Sequence, residues 1–248
     1  MKIETLTYSA EGINFQGYLA DPEGSGRRPG VLIAHEAPGL NDHPKRRARM
    51  IAELGYVALA ADLYGNGRVA QKPEESQQLM APLREDVPRL RKHAHAGFEA
   101  LAKLPNVDPK RIGAMGYCFG GLAVLELARM GAPLAGVVSF HGILGTKTPE
   151  DAKNIKAKVL ACTGAEDPLV PPEQVAGFAA EMTQAGVDWQ VVTYGGAKHA
   201  FTNPEANRPP ALQYNARCPV LGGHARLLVR ALRQALSAAG AAAFCFCS

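Results

Sequence analysis

The chain has 248 residues, 47% hydrophobic and 20% charged, with a net charge of +4. That composition suits a globular protein and excludes a disordered one, and so small and dispersed a charge argues against a dedicated nucleic-acid or membrane surface. No run of about 18 apolar residues marks a membrane span. Met1–Thr5 opens without an apolar secretory core and the five cysteines show no framework spacing, so a cytoplasmic protein is expected.

In chain order, residues 2–9 and 13–20 alternate apolar and polar side chains around Glu11-Gly12, which predicts a β-hairpin. Asp21–Gly26 is a loop, and Val31–Ala34 is a wholly apolar strand of the kind buried on both faces. Asn41-Asp42 can cap a helix with Pro44 in its first turn, Ala48, Ile51, Ala52 and Leu54 at helical spacing, and Gly55 as its stop. The basic cluster Lys45-Arg46-Arg47-x-Arg49 is expected on that helix's solvated face. Tyr56–Ala61 is a strand, and residues 73–104 are helical with interruptions at Pro82 and Pro88. A strand (111–116), a helix (120–130), two strands (134–140, 158–163), a helix (172–185), a strand (189–194) and a final helix (225–239) follow. This alternation predicts an α/β protein: a mostly parallel central sheet, helices on both faces, and the N-terminal hairpin as antiparallel strands. No repeat or linker divides the chain, so one domain over residues 1–248 is expected.

Several signals carry no chemistry. His93 and His95 lie two apart on a helix and point in different directions, so they do not share a metal. Gly195-Gly196 lacks the strand–glycine–helix context of a nucleotide site, and Cys245-Phe246-Cys247 has no second ligand pair. No cofactor and no metal are implied.

The chemistry is expected at Gly116-Tyr117-Cys118-Phe119-Gly120-Gly121, between a strand and a helix. That is the context of a nucleophile elbow, G-x-S-x-G, with Cys in place of Ser. Taken alone, the segment reads more readily as a βα turn holding a small buried cysteine. Two further loops reverse that balance. Gly164–Val170, after the next-to-last strand, carries Asp167, and Gly195–Phe201, after the last, carries His199. Nucleophile, acid and histidine thus follow strand ends in the chain order of α/β-hydrolases. Cys118 would attack a carbonyl carbon, His199 would move the proton, and Asp167 would orient the imidazole. His35-Glu36-Ala37-Pro38-Gly39-Leu40-Asn41 follows the strand ending at Ala34, where this fold supplies an oxyanion-hole amide. The backbone N–H groups of Ala37 and Phe119 are the candidates. Glu36 is unusual there, since a buried carboxylate is costly unless paired or protonated.

Together HEAPGLN, ADLYG, GYCFGG, GAEDPLV and KHAFTNP resemble the dienelactone hydrolase family over roughly residues 1–216. The resemblance implies an α/β-hydrolase fold without a large lid domain, and Cys118, Asp167 and His199 as the triad. It also implies that the Glu36 carboxylate interacts with the resting thiol and helps generate the thiolate. Departures accompany it. Family members that act on dienelactone hold the substrate carboxylate with two arginines; Arg84 matches one, while Thr202-Asn203 stand where the second would be. Pro88 lies near the position of the accompanying tyrosine. Tyr64, Phe119 and Phe201 are candidates to line an acyl pocket. After Glu205 no acidic residue remains and the segment from Arg217 is atypical of the family, through either a reading-frame change or ordinary divergence.

The expected function is therefore hydrolysis of a small-molecule carboxylic ester or lactone through a Cys118 thioester. A non-catalytic scaffold of the same fold that binds a small ligand or partner is the alternative, and a thiol redox protein using Cys162 ranks last.

Overall fold

The computed structural model describes residues 1–215. The expected helix 225–239, the atypical segment from Arg217, and Cys218, Cys245 and Cys247 lie outside the described residues. The elements are β1 (Lys2–Ala10), β2 (Ile13–Asp21), β3 (Arg28–Ala34), α1 (Asp42–Glu53), β4 (Val57–Ala61), α2 (Pro73–Glu85), α3 (Val87–Ala102), β5 (Val107–Tyr117), α4 (Phe119–Arg129), β6 (Gly136–Phe140), β7 (Lys158–Gly164), α5 (Pro172–Gln184), β8 (Trp189–Tyr194), β9 (Asn207–Arg208) and β10 (Leu212–Gln213). A 3-10 turn covers Pro149–Asn154.

Eight strands form one sheet in the order β1-β2-β4-β3-β5-β6-β7-β8. The hairpin turn at Glu11-Gly12 takes φ of 52° and 76°, the two positive values that a two-residue turn matching strand twist requires. β2 runs antiparallel to β4, and every later neighbour pair is parallel. Because side chains alternate across a strand, one face receives Val31, Ile33, Ala58 and Ala60, and α1 covers it with Ala48 and Ile51. The other face receives Leu32, Leu59, Ala114 and Val137, covered by Leu90, Leu101, Leu125 and Phe178 from the helices α3, α4 and α5. This is the α/β-hydrolase arrangement expected from the chain order of the motifs.

Two expectations need correction. Pro82 does not interrupt α2; it lies on the exposed side of the helix's last turns, and the Gln78 carbonyl that it leaves unbonded is in an exposed residue. The break falls instead at Asp86, whose side chain accepts from Arg89 N–H at 3.0 Å and caps α3. β3 and β5 also begin earlier than the apolar runs suggested, β5 at Val107 where it pairs with Arg28, while β6 begins only at Gly136. Among the described residues no helix is long and apolar enough to cross a membrane.

Candidate active site

Four loops meet at the C-terminal edge of the sheet, after β3, β5, β7 and β8. At the second, Cys118 is held at φ 53° and ψ −116°, a left-handed backbone uncommon for a side-chain-bearing residue. The turn closes only because glycines flank it. A Cβ at Gly116 would lie 2.0 Å from the Gly120 oxygen, and one at Gly120 would lie 2.2 Å from the Ala34 oxygen. The second approach seats the end of β3 against the first turn of α4, bringing the loop with Ala37 beside Phe119, the first residue of the helix.

Neighbouring strands bring acid and histidine together. β7 pairs with β8 as far as Gly164 and Tyr194, and Glu166 N–H then donates to the Ala197 oxygen at 3.0 Å. Across this join His199 Nδ1 meets Asp167 Oδ2 at 2.9 Å, while Leu169 N–H holds Asp167 Oδ1 at 2.9 Å. Asp167 accepts, so the proton lies on Nδ1 and Nε2 is left for the nucleophile. Nε2 makes no completed hydrogen bond, although the Cys118 sulfur acts on it. The contact falls short of bonding geometry, as such contacts do before substrate tightens them. Burial alone would lower the pKa of His199; the Asp167 hydrogen bond and the Cys118 sulfur outweigh it and push the value up to about 10.

Glu36 is placed differently from its expected contact with the thiol. Its Oε2 lies 3.2 Å from His43 Nδ1 and accepts from Asn203 Nδ2 at 2.7 Å, with no hydrogen bond to Cys118. A carboxylate buried this far needs compensating donors. Burial opposes its ionisation, but the His43 ring beside it and the Asn203 amide prevail and hold its pKa at about 2. His43 Nε2 in turn receives Arg47 Nε at 3.3 Å, so its ring proton faces Glu36. Arg47 also donates to the Thr202 carbonyl at 2.8 Å and sits 5.5 Å from the Tyr117 ring centroid. Arg47 is therefore buried rather than on the solvated face expected for the basic cluster. The signal was present: His43, Arg47 and Ile51 recur at helical spacing on the apolar side of α1.

His141 has no place in the expected site, yet Cys118 N–H donates to its Nδ1 at 3.1 Å. Its Nε2–H then donates to Thr202 Oγ1 at 2.8 Å, and its ring stands edge-on to His199 with centroids 5.2 Å apart. Burial, with the nearby charge of His199 next, keeps its pKa well below the usual histidine value. Thr202 and Asn203, the positions where a second carboxylate-binding arginine would be expected, are thus committed to holding His141 and Glu36.

Of the remaining candidates, Phe201 is fully buried between His141 and Tyr194 and packs in the core beneath the site instead of lining a pocket. Tyr64 is also buried, stacked on Phe119, with its hydroxyl donating to the Ala37 oxygen at 2.8 Å. It supports the loop rather than offering a wall to substrate. Arg84 is exposed in the last turn of α2 and makes no ion pair among the described residues. Cys162 is buried on β7 with its sulfur 4.0 Å from the Tyr194 hydroxyl. No group of three or more histidine, cysteine or acidic side chains among the described residues could hold a metal ion.

Comparison with known proteins places the chain in a family. The family model described as "Dienelactone hydrolase family" matches residues 15–221. Among solved structures the chain is similar to a dienelactone hydrolase-like promiscuous phosphotriesterase from metagenomic libraries: 38% identity, a TM-score of 0.88, and coverage of 95% of this chain and 98% of that one. A structure named m3DLH is 40% identical with a TM-score of 0.87, covering 95% and 99%. The "Putative carboxymethylenebutenolidase" of Aquifex aeolicus (strain VF5) is 30% identical over 208 residues, 81% of this chain and 87% of that protein.

Proposed function

The chain belongs to the dienelactone hydrolase family, and we propose that it cleaves a small carboxylic ester or lactone through a thioester on Cys118. The observation that carries this is the His199–Asp167 contact of 2.9 Å, with the free edge of His199 turned to the cysteine of a strained elbow. In the first step the sulfur, its proton taken by His199 Nε2, attacks the carbonyl carbon. Negative charge collects on the carbonyl oxygen, where the N–H groups of Ala37 and Phe119 receive it. The tetrahedral adduct collapses, the C–O bond breaks, and the alkoxide leaves with the proton from His199. Water, deprotonated by His199, then attacks the thioester; its collapse releases the acid and returns the proton to sulfur. Asp167 keeps the imidazole in the tautomer this shuttle requires. Glu36 acts from behind the loop, through His43 and Asn203.

A single exposed arginine is a poor clamp for a substrate carboxylate, because bidentate capture and orientation come from convergent donors. Neutral short-chain esters and lactones are accordingly favoured over dienelactone. Hydrolysis of p-nitrophenyl acetate and of dienelactone by the wild type and by Cys118→Ala tests both points. Turnover that disappears in the variant, with the neutral ester preferred, is expected. A folded wild type inert on both substrates would shift the case to a ligand-binding scaffold. The 38% identical phosphotriesterase gives reason to include a phosphate triester in the same assay. The thiolate would attack phosphorus there, with the aryloxide as leaving group.

A further inference from the structure

His35 is buried and makes two ring hydrogen bonds that no step above uses. A main-chain N–H can only donate, so Leu63 N–H at 3.1 Å identifies His35 Nε2 as the unprotonated nitrogen. The ring proton is therefore on Nδ1, which donates to the Glu36 carbonyl oxygen at 2.7 Å. Burial lowers the pKa of this ring and favours its neutral form. The same carbonyl accepts a second bond, from Gly39 N–H at 3.0 Å. In a trans peptide the C=O of one residue and the N–H of the next point in opposite directions. Two donors that hold the Glu36 oxygen thus hold the Ala37 N–H turned the other way. The following peptide is fixed as well, since Tyr64 donates to the Ala37 oxygen. Leu63 and Tyr64 share the loop after β4, anchored by Asp62 Oδ1 accepting from Tyr64 N–H at 2.9 Å and Gly65 N–H at 2.8 Å.

We infer that His35 is a positioning residue for the oxyanion hole: its Nδ1–H pins the Glu36–Ala37 peptide so that the Ala37 N–H is preset for the developing oxyanion. This rests on the role proposed above for Ala37. A rotated peptide would present the Glu36 carbonyl instead, and would strand the His35 and Gly39 donors in a buried loop.

Two rates separate this from a merely structural role. Ester hydrolysis builds charge on a carbonyl oxygen and needs the hole. Alkylation of Cys118 by iodoacetamide is a displacement at saturated carbon, which forms no oxyanion and reports the thiolate alone. In His35→Phe, which keeps the ring but loses both nitrogens, kcat on p-nitrophenyl acetate is expected to fall about 100- to 1,000-fold while the alkylation rate stays within about twofold. In His35→Asn the amide nitrogen can occupy the Nδ1 position and is expected to restore kcat by about tenfold or more over the Phe variant. An unchanged kcat in His35→Phe overturns the inference. So does a parallel loss of alkylation, which would place the effect on the nucleophile or the fold. If His35→Phe fails to fold, His35→Gln replaces it; its amide reaches toward the Nε2 position, so Asn active and Gln impaired is the expected pair, and equal activity overturns the inference. A wild type inert on esters would remove the hydrolase function instead, and the crystal structure of His35→Phe then decides. A rotated Glu36–Ala37 peptide sustains the role of His35, and an unrotated one overturns it.

Discussion

At the scale of single residues, two groups make the site responsive to pH in opposite senses. His199 rises from an ordinary value of 6.5 to about 10 on folding, so its pairing contributes full stability below 6.5 and loses it as pH climbs toward 10. The imidazolium is also the acid that serves an alkoxide leaving group, so kcat/KM for an alkyl ester such as ethyl acetate, whose alkoxide cannot leave unprotonated as p-nitrophenolate can, is expected to decline as pH rises through about 10. A pH–rate profile checks this. Glu36 moves from 4.5 to about 2, so its contribution is present above 4.5 and disappears as pH falls toward 2. Urea midpoints across that acid range should fall steeply for the wild type. Glu36→Gln should start lower at pH 7 and fall less, because its amide cannot titrate.

At the scale of elements, the elbow is the junction least tolerant of change. β5 and α4 meet through the Gly116–Gly121 turn, and the space that a side chain would need at Gly120 is filled by the Ala34 carbonyl. Backbone atoms cannot swing aside as a flexible side chain can. Gly120→Ala is therefore expected to cost about 3 kcal/mol or more in chemical denaturation, above the usual range for an added methyl group. It should also lower kcat in whatever fraction still folds, because the same movement separates Phe119 from Ala37. A neutral melting temperature together with full activity would refute the tight-approach account.

At the scale of the whole molecule, helices α3, α4 and α5 are joined behind the sheet by a buried ionic network remote in sequence. Arg129 Nη1 meets Glu126 at 2.9 Å, Arg129 Nε meets Glu181 at 2.8 Å, and Arg91 reaches Glu126 at 2.8 Å and Asp151 at 2.6 Å. Arg129 also donates to the Leu144 carbonyl at 2.9 Å. Removing one member of such a network leaves its partners charged and desolvated. Arg129→Met is expected to destabilise the fold by about 3–5 kcal/mol in urea titrations. Arg91, Glu126, Arg129 and Glu181 make no hydrogen bond to Cys118, Asp167 or His199, so loss of stability without a change in kcat of the remaining folded enzyme is the expected signature.

The alternation of strands and helices, the antiparallel hairpin, and the positions of Cys118, Asp167 and His199 at strand ends were legible in the chain alone. These are local signals: apolar runs, glycine stops and turn residues are written in adjacent positions, and each loop follows directly from the strand before it. The partners of those residues were not written locally. Arg47 belongs to a basic cluster in the chain and to a buried network in the fold, because only packing against Tyr117 and Thr202 shows which side of α1 is covered. Phe201 is a site residue by neighbourhood in sequence and a core residue by burial. His35 and His141 owe their tautomers to Leu63, Cys118 and Thr202, which lie between 23 and 61 residues away. Hydrogen bonds across such separations depend on how the loops converge at one edge of the sheet, and that convergence is decided only when the sheet is assembled.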